Sequence, residues 1–205
     1  MASLYPPGSV RMLIESDLVT PPTRRALVDR LAAPPVLAPS FFDEAGFATL
    51  EAVCDRLIPQ PERPRPIDLP GVLDTRLAAR EGDGWRFAVM PPDRDMHAAG
   101  LLGIEQAAVA TFGHAFTHLS APEQDAVLGA VQRGRVAGSA WEAMDAALYF
   151  EELLAGLVDI YYAHPLASEE IGYAGMADAH GWQAIGLDER EAHEPSNAAV
   201  LAGAA

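Results

Sequence analysis

Lysine is absent from the 205 residues: all 14 basic residues are arginine. That removes the phosphate-loop lysine, the Schiff base and any lysine nucleophile or general base. A single cysteine, Cys54, excludes a disulfide framework within the chain, a four-cysteine zinc site, an iron–sulfur cluster and a CxxCH haem site. Positive charge is scarce too, with 14 basic against 29 acidic residues and a net charge of −15. A nucleic-acid backbone or an anionic membrane surface is therefore not an expected partner. The longest stretch without a formal charge, Gln106 to Pro122, is too short and too polar for a spanning helix, so no membrane insertion is expected. Arg24-Arg25 invites a twin-arginine export reading, but no apolar segment follows. The pair reads as two surface arginines. With no readable signal peptide the chain is expected to be cytoplasmic, or periplasmic if co-exported with a partner. No segment alternates with period two, so strands are not expected.

What is present is a chain half hydrophobic and 21% charged, the balance of a folded domain. At this length it should bury roughly 70% of its unfolded surface without a disulfide or metal staple. The composition divides it into an irregular proline-rich arm at 1–40, a helical domain at 41–163, and a glycine- and aromatic-rich arm with a frayed tail at 164–205. The expected fold is mostly α, a single bundle of about five helices with extended arms at both ends.

Prolines leave the first forty residues only short helical pieces such as Thr23 to Leu31. Phe47, Leu50, Cys54, Leu57 and Ile58 follow helical spacing until Pro59. Cys54 reads as a small buried hydrophobe within that stripe. Asp68 is the expected N-cap of a second helix, with Pro70 in its first turn and Leu69, Val72, Leu73 and Leu77 facing inward. Gly82 and Gly84 lie in a loop that continues to Pro92 and do not make a dinucleotide fingerprint. Met96 to Leu119 is expected as one long helix. Ser120-Ala-Pro-Glu123 is a capping box, opening a helix that buries Val127, Leu128 and Val131. A last helix is expected from Ser139 to Ala163, its apolar side carrying Trp141, Met144, Leu148, Leu154, Val158, Tyr161 and Tyr162.

No catalytic constellation emerges from the residue pattern. His114 and His118 stand four apart and could share a metal on a helix, but they straddle its solvent side without an HExxH carboxylate, and they read as solvated histidines. His164, before a proline, reads as a helix C-terminal cap. No GxSxG elbow is present, and no pair of Glu-x-x-His motifs that a di-iron bundle requires. Glu151 lies between Leu148 and Leu154 and faces inward enough for a proton-transfer group, though a lone carboxylate is more often salt-bridged. The C-terminal arm must place Ile171, Tyr173, Trp182 and Ile185 out of water, either back on the bundle or on another protein. His180 sits on this arm in a contact role.

The motifs in order resemble one family. Phe47 to Pro59, FATLEAVCDRLIP, is similar to the opening helix of the gluconate 2-dehydrogenase subunit 3 family, and Pro70-Gly71-Val72 looks like its next element. Leu119 to Leu128, LSAPEQDAVL, resembles its next helix start. His164-Pro165, Glu170-Ile171-Gly172, Gly175 and Gly181-Trp182 with Ile185-Gly186 are similar to its C-terminal signature. The resemblance covers about residues 41 to 190. It implies a small accessory subunit, without catalytic or cofactor-binding residues of its own, of a large glucose–methanol–choline type dehydrogenase that carries FAD and oxidises a sugar, a sugar acid or a glycoside. Some such complexes add a cytochrome subunit, and several relatives carry a twin-arginine export signal. Here no such signal is readable, and the arm reads EIGYAG where many relatives have Tyr-Gly-Gly-Asn. The partner-facing candidates implied are His164, Pro165, Ile171, Gly172, Tyr173, Gly175, His180, Gly181, Trp182 and Ile185. A free-standing maturation chaperone, or an independent metal-dependent enzyme using His114 and His118, is the alternative.

Overall fold

The computed structural model describes residues 5–61, 67–82, 87–187 and 189–194. Among them the regular structure is helical throughout. The chain divides into two compact units, one of residues 35–160 and one that joins 1–34 to 161–205.

In the 35–160 unit, α3 (Glu44–Leu57) starts where the Asp43 carboxylate accepts the Gly46 N–H at 2.7 Å. It buries Phe47, Leu50, Val53 and Cys54, while Leu57 and Ile58 are half-buried. α4 (Leu69–Ala79) begins at the expected cap: Asp68 accepts from Gly71 and, at 2.7 Å, from Val36. Asp74 on α4 has no exposed surface and accepts the N–H groups of Ser40, Phe41 and Phe42 at 2.6, 3.0 and 2.9 Å. A buried carboxylate needs such donors, and here they set the turn leading into α3. Val72, expected inside, lies on the solvent side of α4.

α5 (Asp93–Phe112) is shorter than expected, because Gly113 adopts φ 75° and ends it. A separate 3-10 turn, Phe116–His118, precedes α6 (Ala121–Gln132). α6 opens on the expected capping box and buries Val127, Leu128 and Val131. The last long helix also starts later than expected. A 3-10 turn covers Ser139–Trp141, and α7 (Ala146–Tyr162) begins only after Asp145, whose carboxylate accepts from Ala147 and Leu148. Its buried face is Ala146, Tyr149, Phe150, Leu153, Leu157 and Ile160. Leu148 and Leu154 are half-buried, and Val158 and Tyr162 are exposed, so the apolar stripe expected from the sequence is out of phase.

In the other unit the N-terminal segment is more regular than its prolines suggest. It forms α1 (Ser9–Glu15) and α2 (Pro21–Ala32), with the prolines at the first turn of α2, where no N–H is needed. α8 (Pro165–Glu170) follows α7 after a short turn. Val10, Leu13, Ile14, Val19 and Leu27 form a core with Ala174, Met176 and Ala177 of the C-terminal arm. No helix among the described residues is long and apolar enough to cross a membrane.

Candidate functional site

The C-terminal arm splits its residues between two tasks. Ala174, Met176 and Ala177 pack onto α1 and α2, whereas Ile171, Tyr173, Ile185 and Leu187 stay exposed, Leu187 at 95%. Trp182 is 37% exposed, its ring edge-on to His193 at 5.2 Å. His180 is exposed beside it, and Gly181 takes φ 67°. The arm is fixed by its own carboxylates. Glu191 accepts from the backbone of Gln183 and Ala184, and these donors, Ala184 first, lower its pKa. Gly172 is required by close approach, since a Cβ there, at φ 63°, would lie 2.4 Å from the Tyr5 ring, whereas one on Gly175 would meet only the tip of the exposed Tyr173 side chain, 2.1 Å from its hydroxyl.

His164 is placed differently from its expectation. Pro165 is the first residue of α8, so His164 opens that helix instead of closing the one before. Its Nδ1 accepts the Leu166 N–H at 3.3 Å, and its Nε2 lies 3.2 Å from the Arg30 carbonyl. Both contacts are satisfied by the neutral Nε2–H tautomer; a cation has no lone pair at Nδ1 to offer. The Arg30 guanidinium returns a bond to the Ala163 carbonyl at 2.9 Å. Pro165 is buried.

Two further carboxylates of the same unit end as helix caps. Glu169 accepts the N–H groups of Gly8 and Val10 at 2.7 and 3.1 Å, serving the N-terminus of α1. Asp178 accepts the Thr20 N–H and the Thr20 and Thr23 hydroxyls at 2.7, 2.8 and 2.6 Å, at the start of α2. Those donors, the backbone N–H first, pull its pKa down to about 2.

In the 35–160 unit, His114 and His118 do not share a helix, because Gly113 ends α5 ahead of them. Among the described residues no group of three or more His, Cys, Asp or Glu side chains is arranged to hold a metal ion. Glu151, expected to face inward, is exposed, since α7 starts at Ala146 and turns Tyr149, Phe150 and Leu153 to the interior instead. Cys54 is buried, and desolvation raises its thiol pKa far above the ordinary range, which removes the reactive thiolate.

Hollows open among the described residues of this unit. One of about 640 Å³ is largely apolar, between Phe41, Phe42 and Ala45 on one side and Leu101 and Leu102 on the other. Another, about 420 Å³, is walled by α4, α5 and α7, with Arg76, Asp93, Glu151, Glu152 and Asp159 around it. His97 lines it. That imidazole is only 7% exposed, its Nδ1 has no hydrogen-bond partner among the described residues, and burial lowers its pKa to about 4, so it is neutral near pH 7. Its only mark in the sequence is a histidine on an otherwise apolar helix face.

The model of the family described as gluconate 2-dehydrogenase subunit 3 matches residues 44–187. No match was found among curated proteins or among solved structures. The matched stretch begins at α3 and ends in the exposed part of the C-terminal arm, and so takes in every motif from Phe47 to Gly186. The chain belongs to the gluconate 2-dehydrogenase subunit 3 family.

Proposed function

We propose that the chain is a non-catalytic small subunit that binds, and stabilises or matures, a large FAD-dependent dehydrogenase acting on a sugar or glycoside. The flavin belongs to that partner, and this chain supplies none of the reacting groups. The observation that carries the reading is the family match over residues 44–187. A second supports it: Ile171, Tyr173, Trp182 and Ile185 are presented on a glycine-rich arm anchored at Ala174, Met176 and Ala177. Aromatic and branched side chains on an anchored loop suit a protein interface, where they lose surface at small entropic cost. The pair is expected to assemble in the cytoplasm and to be exported, where it is exported, by a signal on the complex. Some such complexes would add a cytochrome subunit.

The test is co-expression with the flavoprotein dehydrogenase encoded in an adjacent open reading frame. The expected outcome is a stoichiometric complex containing one flavin-bearing large subunit, with the small chain alone binding no FAD and oxidising no sugar. A large subunit that is soluble, flavin-loaded and active alone, with the small chain eluting free, sinks the reading. A chaperone that releases its client differs in one observable: it restores the flavoprotein's solubility and is missing from the purified active enzyme.

A further inference from the structure

We propose that the apolar groove along the outer side of α5 seats an amphipathic helix of the large partner subunit, apolar on one face and basic at its edge; the inference rests on the reading that such a partner exists. α5 is apolar on two sides. Leu101, Ile104, Ala107 and Ala108 point into the core of the 35–160 unit. On the opposite side Ala98, Leu102 and Val109 are exposed and Phe112 is half-buried, Leu102 and Val109 each at 54%. With Glu105 these positions repeat at spacings of four, three, four and three, the seam that one helix offers to another. A helix apolar all round is expected to be covered on every side, and this side is not covered among the described residues. The hollow of about 640 Å³ lies beside the stripe, lined by Phe41, Phe42, Ala48, Ala98 and Leu102.

Charge and polarity select the occupant. The charged residues that line the hollow are Asp43 and Glu105, with no basic residue among the described lining. Glu44, next to Asp43 at the start of α3, is exposed. The Arg94 guanidinium stands over the Phe41 ring at 4.5 Å, but it donates to the Leu77 and Ala78 carbonyls and does not line the hollow. An apolar floor with an acidic edge suits a partner whose apolar side chains are flanked by arginine or lysine. A second copy of this chain is the poorer occupant, because it brings the same acidic edge and a net charge of −15. A small molecule is poorer too, since the polar groups that would orient it are already used. Asp43 accepts the Gly46 N–H, the Thr49 hydroxyl donates to Glu105 at 2.7 Å, and the other Glu105 oxygen accepts the Phe116 N–H at 3.1 Å. The stripe also outruns the hollow: from Ala98 to Phe112 it extends about 21 Å along the helix, a length suited to a second helix.

The affinity of the purified chain for the flavoprotein of the adjacent reading frame is measured by calorimetry, in low and high salt. The variants are Leu102→Asp, Leu102→Ala, Val109→Asp, Glu44→Gln and a control, Val72→Asp, which places an acid on the exposed side of the first turn of α4. Leu102→Asp and Val109→Asp should each weaken binding by about tenfold or more at either salt concentration, because assembly would bury an unpaired carboxylate. Leu102→Ala should weaken it by less. Glu44→Gln should weaken it in low salt alone, as expected of a charge at the edge. Val72→Asp should bind as wild type does. Should an aspartate variant fail to fold, Leu102→Ala carries the comparison. Unchanged affinity in the Leu102 variants, or an equal loss in Val72→Asp, overturns the groove as the seat and leaves the subunit reading standing. A loss at Leu102 with none at Val109 overturns the helix as occupant. Light scattering of the chain alone gives the remaining outcome: a homodimer that Leu102→Asp dissociates assigns the groove to a second copy and overturns the proposal. If the wild-type chain binds no flavoprotein at all, the proposal and the subunit reading both fall.

Discussion

Carboxylates and an imidazole in the unit joining the two ends of the chain are committed to backbone N–H groups. Glu169 serves the start of α1, Asp178 the start of α2, and His164 the start of α8. The first four N–H groups of any helix lack internal acceptors, and anionic side chains there are favoured by the helix dipole as well. Asp178 makes the sign of the pH dependence definite. Its folded pKa, about 2, lies below the unfolded value of about 3.9, so its contribution is present above about pH 4 and disappears as pH falls towards 2. Asp178→Asn should therefore melt below wild type at pH 6, and the difference should close between pH 4 and pH 2. A gap in melting temperature that persists unchanged at pH 2 would mean that the charge is not what holds this cap.

At the scale of the element, the packing of α5 against α7 and against the 3-10 turn before it depends on two missing side chains. A Cβ on Gly100 would lie 2.1 Å from the Tyr149 ring, and one on Gly103 2.3 Å from the Trp141 ring. Tyr149 is wholly buried, and its hydroxyl has no partner among the described residues. Shape and polarity can therefore be separated by two variants. Gly100→Ala should destabilise by about 1–3 kcal/mol through overpacking, whereas Tyr149→Phe should melt at or above the wild-type temperature because it removes an unsatisfied buried hydroxyl. A clear loss of stability in Tyr149→Phe, read by denaturant unfolding, would show that the hydroxyl is bonded in solution. The same helices explain what the sequence disclosed. α6 was legible because its start signal, Ser120 to Glu123, and its apolar spacing are both local. The α4 cap was legible for the same reason. α7 was placed out of phase because Trp141 and Met144 look like helix positions, although Asp145 restarts the backbone after them. The cap of α1 could not be read at all, since its acceptor, Glu169, is supplied from the far end of the chain. The cleft around His97 escaped for a similar reason: Glu81, Asp93 and Glu151 are distant in sequence, and only the fold gathers them.

For the molecule as a whole, the two ends of the sequence form one core. α1 and α2 precede the stretch matched to the family, yet they cover Ala174, Met176 and Ala177 within it. That arrangement answers part of the question posed by an arm rich in glycine and rings. The small residues and Met176 satisfy the chain's own core, which leaves Ile171, Tyr173, Trp182 and Ile185 outside it. Trp182 is the sharpest probe of the two destinies an exposed ring can have. Its only ring contact among the described residues is with His193, near the end of the described chain, so truncating it removes little from the body of the subunit. If Trp182 is an anchor that becomes buried on assembly, Trp182→Ala should weaken association with the flavoprotein by about 2 kcal/mol or more, since truncated aromatic anchors at interface centres lose that much. The isolated variant should melt within a degree or two of wild type, because an exposed side chain away from a core contributes little to folding. Unfolding of the isolated variant and its affinity for the flavoprotein, measured side by side, separate the cases. A lowered melting temperature with unchanged affinity would return the ring to its own subunit, and the interface would then have to lie elsewhere on the chain.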